Sequence, residues 1–577
     1  PLYVVAEKIL SEREPLPEDW AVAGTTGYDF LNAVNGLFVD RRAERAFNGI
    51  YRRFVSPENP SELPRFEDLV HDCKQLIMES SLASELRSLI HRLERVNEKN
   101  RRYRDFTLQG LTRALADVVA GMSIYRTYIT GPDNVSERDR KYITAAVREA
   151  RRRHPRTARS LFAFIEDTLL LRNLREFRPE DRENVVNFVM RFQQITGPIM
   201  AKSVEDTAFY IYNRLVSLNE VGGAPEHFGT TPAEFHRQNA GRARRWPHAM
   251  LATATHDTKR GEDTRARINV LSEIPKEWEA ALARWEELNA PHKREVDGAL
   301  APDRNDEYLL YQTILGAWPE AAGGVEQDTS WLPAFRERIV GYMQKATKEA
   351  KVHTSWINPN EEYDAAVQAF VEALLDDDPA NPFVRDAMPL ARRLAFFGRI
   401  NGLAQTLLKL TSPGVPDIYQ GTELSDLSLV DPDNRRPVDW GRRVELLAEL
   451  KRRASRASGR AALARELLES IADGRLKLFI IAQALDLRRR REPLFTHGGY
   501  LPLTAEGDQQ EHLIAFARTL DDAAALVVAP RLVVGLTGGE ERAPVGAVWG
   551  ETRLLLPDGE RGRRYRDVLT GVTLTVE

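Results

Sequence analysis

Four short apolar segments, each running into polar or glycine-rich residues, are scattered among long stretches of helical periodicity. They lie near 2–6, 22–26, 249–254 and 412–418. The first ends in Glu7-Lys8, the second in Thr25-Thr26-Gly27-Tyr28, the third in Thr255-His256-Asp257 and the fourth in Asp417-Ile418-Tyr419. Buried strands that alternate with helices and carry polar groups at their carboxyl ends are the pattern of an α/β barrel, whose site is built at those ends. A closed barrel needs eight such strands. The expected fold class is therefore α/β: the C-terminal half of a (β/α)8 barrel with large helical insertions, followed by a small antiparallel β-domain. The chain also enters a strand pattern at once, Pro1-Leu2-Tyr3-Val4-Val5-Ala6, without Met. This carries the expectation that the missing strands lie upstream, in a longer protein.

The intervals between the segments divide the chain. Residues 1–40 hold barrel strands five and six, and 41–245 a helical insertion. There Leu69, Cys73, Leu76 and Ile77 are expected to share one helical face, and Leu82, Leu86, Leu89, Ile90 and Leu93 another. Further helical runs are expected near 107–121, 136–153, 158–174, 182–195 and 203–218. Residues 246–262 hold strand seven, 263–408 a second helical insertion, and 409–490 strand eight with further helices. The last part, 491–577, changes to β-branched runs near 512–518, 525–529, 552–556 and 572–576, separated by turns such as Asp558-Gly559.

Composition removes several classes of function. With 81 Lys+Arg against 85 Asp+Glu the formal net charge is −4, not the strongly basic balance of a dedicated nucleic-acid binder. A single cysteine, Cys73, excludes a disulfide framework and a cysteine-built zinc site, and favours packing over nucleophilic chemistry. No apolar stretch of about twenty residues spans a membrane, and a cytoplasmic location is expected. There is no phosphate-binding glycine loop, no dinucleotide fingerprint and no His-Glu-x-x-His pattern among the 11 histidines. No cofactor and no catalytic metal are expected. The basic runs 151–153 and 488–491 end helical stretches, where they complement the helix dipole.

The polar strand ends carry the candidates. Glu7 is either a catalytic carboxylate at a strand end or a loop carboxylate. Asp257 is either catalytic or the N-cap of a helix starting at Thr258. His256 could bond a sugar hydroxyl or be structural. Together, the two carboxylates at strand ends could serve glycoside cleavage as acid and stabiliser, since it needs a proton donor and negative charge near an oxocarbenium-like transition state. No segment supplies a convincing carboxylate nucleophile.

At these motifs the sequence resembles the maltooligosyl trehalose synthase family of the α-amylase superfamily. The matching pieces are Val5-Ala6-Glu7-Lys8-Ile9-Leu10, Gly24-Thr25-Thr26-Gly27-Tyr28-Asp29-Phe30, Tyr125-Arg126-Thr127-Tyr128 and Gly197-Pro198-Ile199-Met200-Ala201-Lys202-Ser203-Val204-Glu205-Asp206-Thr207-Ala208-Phe209-Tyr210. Further matches are Leu218-Asn219-Glu220-Val221-Gly222-Gly223, Thr255-His256-Asp257-Thr258-Lys259-Arg260-Gly261-Glu262-Asp263 and 413–423. The resemblance implies an intramolecular transglucosylation on a maltooligosaccharide, turning its reducing-end α-1,4 bond into an α,α-1,1 bond. It implies Glu7 as acid/base and Asp257 as transition-state stabiliser, and no metal.

The family's nucleophile aspartate belongs to a strand with no counterpart here, so it is expected in the missing N-terminal segment, and the chain alone is expected to be inactive. Tyr28, His256, Lys202, Glu205, Asp206, Lys259 and Arg260 are the substrate-binding candidates; the last five serve equally well as internal ion pairs. A trehalohydrolase is a possible partner enzyme. The rival functions are a hydrolase of the same superfamily, either an amylase or the trehalohydrolase, and a non-catalytic glucan-binding protein.

Overall fold

The structure is a computed structural model that describes residues 2–11, 14–59, 63–320, 330–455 and 459–577. Pro1 and part of the second helical insertion, 321–329, lie outside the described residues. The four apolar segments come together in sequence order. Ala6 bridges Thr25 in parallel, the Thr25 carbonyl accepts from the Met250 N–H at 3.1 Å, and Met250–Leu251 pairs in parallel with Val415–Pro416. The regular strands are short because each segment turns into its polar end within a few residues. The first segment departs from expectation. Leu2 is 93% exposed, and Tyr3 and Val4 are also exposed. Among the described residues this segment has a partner on one side only, so its outer edge and side chains meet solvent.

Helices fill most of 41–245 as the periodicity predicts, and some begin at a capping side chain. Thr107 accepts from the Gly110 N–H at the start of Leu108–Ala120, and Ser136 accepts from the Asp139 N–H at the start of Glu137–Arg153. Pro179 opens the helix Pro179–Met200, where its missing N–H costs nothing. Within the helix Phe66–Glu79, Cys73 and Ile77 face inward, but Leu76 is exposed. The residues from Met78 to Ile199 bury a core of their own, centred on Leu93, Leu111, Phe162, Phe164, Phe188 and Phe192.

The helix expected near 203–218 does not form as such. Residues Ala201–Ala208 are a π-helix, followed by the short helix Phe209–Ile211 and an irregular chain. The side chain of Asn219 donates to the carbonyls of Phe209 and Tyr212, and that of Asn213 to Tyr210. These bonds satisfy carbonyls that a continuing helix would have used.

The 30-residue helix Pro382–Thr411, about 45 Å long at the usual rise, is the spine of the molecule. Its first half packs Phe383, Leu394 and Phe397 into the core of Trp278, Trp285, Tyr308 and Tyr311. Its second half sets Ala404 and Leu408 against Phe30, Leu251, Phe516 and Val527. That second cluster fastens the parallel segments to the C-terminal sheet. There the strands run in the order Ala523–Pro530, Leu513–Leu520, Gly499–Glu506, Arg553–Leu555, all antiparallel. Three β elements lie outside the expected runs: Gly499–Glu506; Arg564–Arg566, which pairs antiparallel with Thr573–Thr575; and the hairpin Arg294–Val296 with Ala299–Ala301, turned by Asp297-Gly298, both at positive φ.

Candidate active site

The approach of the second segment to the third depends on Gly27. Its φ is 97°, and a Cβ there would lie 2.6 Å from the Ala252 nitrogen. With no side chain in the way, the next residue, Tyr28, opens the helix Tyr28–Gly36 with its ring buried and its hydroxyl 3.1 Å from Thr255 Oγ1. Thr255 Oγ1 also accepts from the Asp257 N–H at 3.1 Å, and Thr258 Oγ1 donates to the Thr255 carbonyl at 2.9 Å. Asn434 Nδ2 donates to the His256 carbonyl at 3.1 Å. The turn is held from below and from the side, while the side chains of His256 and Asp257 stand exposed on it.

Glu7 reaches the same place from the first segment. The Ala6 N–H donates to the Gly24 carbonyl at 2.8 Å and the Thr26 N–H to the Ala6 carbonyl at 3.1 Å, which leaves Glu7 exposed just past the pairing. Burial pushes the Tyr28 hydroxyl well above its usual pKa, against the Thr255 hydrogen bond; the charges of Asp257, Glu7 and Glu220 push it further. One buried hydroxyl thus feels both exposed carboxylates. Behind Glu7, Lys8 is buried in an ion pair with Glu14 at 2.8 Å, its Nζ 5.7 Å from the ring centroid of Tyr125.

The insertion contributes a wall of alternating charge. The Tyr125 hydroxyl donates to Glu205, whose same oxygen accepts the Gly222 N–H at 2.9 Å. Burial raises the Glu205 carboxyl to about 7, above its usual range, despite those hydrogen bonds. Asp206 takes Lys202 Nζ at 2.7 Å on one oxygen and Lys259 Nζ at 2.8 Å on the other. Burial opposes its ionisation, but the two lysines outweigh it and hold its pKa low. The π-helix puts Glu205 and Asp206 next to each other with opposite titration behaviour, a local irregularity of the kind that often marks functional sites. Below them, Glu220 is fully buried and accepts the Lys259 N–H at 2.7 Å, the Arg260 N–H at 3.3 Å and Arg265 at 3.2 Å.

The structure links Glu7, Tyr28, His256, Asp257, Glu205, Asp206, Lys202 and Lys259 through one chain of contacts and charges, with Glu7, His256, Asp257 and Lys202 exposed, Asp206 half-buried, and Tyr28, Glu205 and Lys259 buried. Arg260 stands apart: it is buried, with its guanidinium on the Val216 carbonyl and the Tyr342 hydroxyl, and its position matches an internal bond rather than a sugar contact. Asp257 caps no helix, because the following helix, Glu262–Val270, starts after Gly261. Glu262 and Asp263, beyond it, meet Lys477 at 2.6 and 2.7 Å in a buried ion cluster. Sequence reasoning missed Glu220, Tyr125 and Asn434 as supports. The first two sat inside quoted motifs, whereas nothing in the local sequence marks Asn434. Cys73 is buried, its thiol pushed up to about 12 by that burial, in keeping with packing.

No family model matches the chain. It is 35% identical over 573 residues to a protein of Mycobacterium tuberculosis named as a maltooligosyl trehalose synthase, covering 99% of this chain and 63% of that protein. Among solved structures it is similar to the maltooligosyltrehalose synthase from Arthrobacter ramosus, with a TM-score of 0.78, 34% identity and coverage of 100% of this chain and 64% of that one. A hypothetical maltooligosyl trehalose synthase from Sulfolobus tokodaii matches with a TM-score of 0.70 at 28% identity, over 100% of this chain and 64% of its own. The chain thus spans slightly under two thirds of the relatives it resembles from end to end.

Proposed function

We propose that this chain, a relative of the maltooligosyl trehalose synthases along its whole length, carries the acid/base and the transition-state stabiliser of a trehalose-forming transglucosylation. The observation that carries the proposal is that exposed Glu7 and Asp257, at the ends of the first and third segments, both act on the buried Tyr28 hydroxyl that follows the second segment between them. In this proposal the four segments are half of a (β/α)8 barrel, and the site is at the carboxyl end, where such barrels place their chemistry.

Glu7, protonated, donates to the oxygen that joins the reducing-end glucose to the rest of a maltooligosaccharide. The bond to the anomeric carbon breaks, and the positive charge that develops there is offset by Asp257, held in place through Thr255 and Tyr28. A carboxylate nucleophile captures the maltooligosyl group while the released glucose stays bound and turns. Glu7 then removes the proton from its anomeric hydroxyl, which attacks and closes the α,α-1,1 bond. The Lys202–Asp206–Lys259 chain and Glu205 supply hydroxyl-binding groups around that glucose. Water must stay outside, because it competes as acceptor. The nucleophile is assigned to none of the described residues: Asp29 is held by Thr25 and Arg242, and Glu220 is buried on Arg265. Its source in this proposal is a further segment, encoded upstream. A trehalose-releasing hydrolase is the class of enzyme that would consume the product.

The test uses maltopentaose with two proteins: the purified 577-residue chain, and the same chain expressed in one polypeptide with the coding sequence upstream of it. The expected result is loss of reducing ends without glucose release, from the longer polypeptide only. Glucose release in its place would identify a hydrolase, and absence of any reaction from both would leave a glucan-binding protein.

A further inference from the structure

The helical insertion contains a second constellation, made of residues to which no role is given above. His71 in the helix Phe66–Glu79, Asp117 in Leu108–Ala120 and His154 at the end of Glu137–Arg153 bring one ligand atom each to within 4.8 Å of one another. The Asp117 side chain is only 3% exposed, and its Oδ2 has no hydrogen-bond partner. Its other oxygen lies 3.2 Å from His154 Nε2 and accepts Gln75 Nε2 at 3.2 Å. His71 faces Asp72 Oδ1 through Nδ1 at 3.4 Å, and its buried Nε2 is likewise without a partner. A buried carboxylate oxygen and a buried ring nitrogen left unpaired beside each other are costly unless something binds them.

We propose that His71, Asp117 and His154 bind a divalent first-row transition metal, with Zn²⁺ as the best match. Two imidazole nitrogens and one carboxylate oxygen are borderline donors that suit Zn²⁺ and not Mg²⁺ or Ca²⁺. The Asp72 contact fixes His71 with Nδ1 as donor and Nε2 as lone pair, the orientation that a carboxylate imposes on a ligating histidine. Bonds of about 2.0–2.1 Å bring tetrahedral ligand atoms to roughly 3.3 Å of each other. Closing the present spacing therefore asks for shifts of about an ångström, and the partly exposed His154, just past its helix end, is free to make them. The exposed side leaves the fourth position to water. Neighbouring cations do not fill the site: Arg153 is engaged by Asp68 at 2.7 Å and by Glu149 at 2.7 Å. The ion would clamp three helices of the separate core, a corner already tied by Lys74 Nζ to the Ala120 and Met122 carbonyls.

The test titrates the tag-free, chelator-stripped 577-residue protein with Zn²⁺ and with Co²⁺. Expected are one bound equivalent, a visible Co²⁺ absorption of four- or five-coordinate type, and a rise of several degrees in the melting temperature, as follows for an ion that binds the folded state only. Asp117→Asn and His154→Ala should each abolish all three. His154→Ala guards against misfolding, since His154 is partly exposed at a helix end, and its own melting temperature without metal should match the parent. Less than one equivalent, or equal uptake by the parent and His154→Ala, would overturn the site and leave a histidine–aspartate hydrogen-bond network.

Discussion

The hydroxyls of Tyr28 and Thr255 lie 3.1 Å apart, joining the helix that follows the second parallel segment to the turn that follows the third. Thr255 Oγ1 also takes the Asp257 N–H, so Tyr28 positions a carboxylate it does not touch. Tyr28→Phe in the active polypeptide should lower kcat roughly fivefold, since a net hydrogen bond is worth about 1 kcal/mol and about 1.4 kcal/mol corresponds to a factor of ten. The melting temperature should stay within a few degrees of the parent. Unchanged kcat would mean that the turn holds Asp257 without Tyr28.

Glu7→Gln should cost at least about 100-fold in turnover of maltopentaose, the usual worth of a positioned proton donor. Asp257→Asn should cost as much, because it removes the charge and keeps the shape. Both side chains are exposed, so neither change should move the thermal transition. Near-full activity in either variant would remove that residue from the mechanism.

Glu220→Gln should instead destabilise the fold. It leaves Arg265 buried without its carboxylate, and breaking a buried pair costs about 3–5 kcal/mol. Chemical denaturation at neutral pH reads this directly, and a loss under about 1 kcal/mol would show that the carbonyls of Arg260 and Thr253 satisfy Arg265 alone.

Glu205 makes stability depend on pH. Its folded pKa, raised from 4.5 to about 7, keeps the native state more protonated than the unfolded chain between those values. Its contribution is fully present below about 4.5 and is lost as pH rises through about 7, amounting to about 3 kcal/mol at 1.36 kcal/mol per unit. Other buried carboxyls titrate in the same window, so the measure is the difference between the parent and Glu205→Gln. Denaturant midpoints of the two should converge in acid, and the variant should gain on the parent toward pH 8. Parallel curves would mean that Tyr125 and Gly222 stabilise an ionised Glu205.

Lys202 pairs with Asp206 at the exposed end of its chain. A surface pair is worth about 0–1 kcal/mol, so Lys202→Ala should leave the melting temperature unchanged. If the chain holds the released glucose, the variant should raise KM and the share of free glucose in the product. Unaltered KM and product ratio would make the pair purely structural.

Much of this architecture was legible along the chain. The four apolar segments with polar ends predicted where the parallel segments lie, because strand burial and strand-end polarity are local patterns. The helices of 41–245 followed from apolar spacing. Glu7 and Asp257 were singled out from their places after apolar runs and from the motifs around them, and the structure leaves both side chains exposed. Even a feature that went unread, the hairpin at 294–301, had its signal in Asp297-Gly298.

Only tertiary structure decided which polar residues stay exposed and which partners the buried ones take. Lys259 and Arg260 are neighbours in one motif, yet one is bound to Asp206 and the other to Val216 and Tyr342. Glu205 and Asp206 are likewise adjacent, and burial drives the first toward neutrality while two lysines hold the second ionised. The three groups at 71, 117 and 154 carry no shared spacing at all. Sequence determined the elements because periodicity and capping act over a few residues. Desolvation and charge pairing act across space between residues far apart in the chain, and those forces assigned each side chain its role.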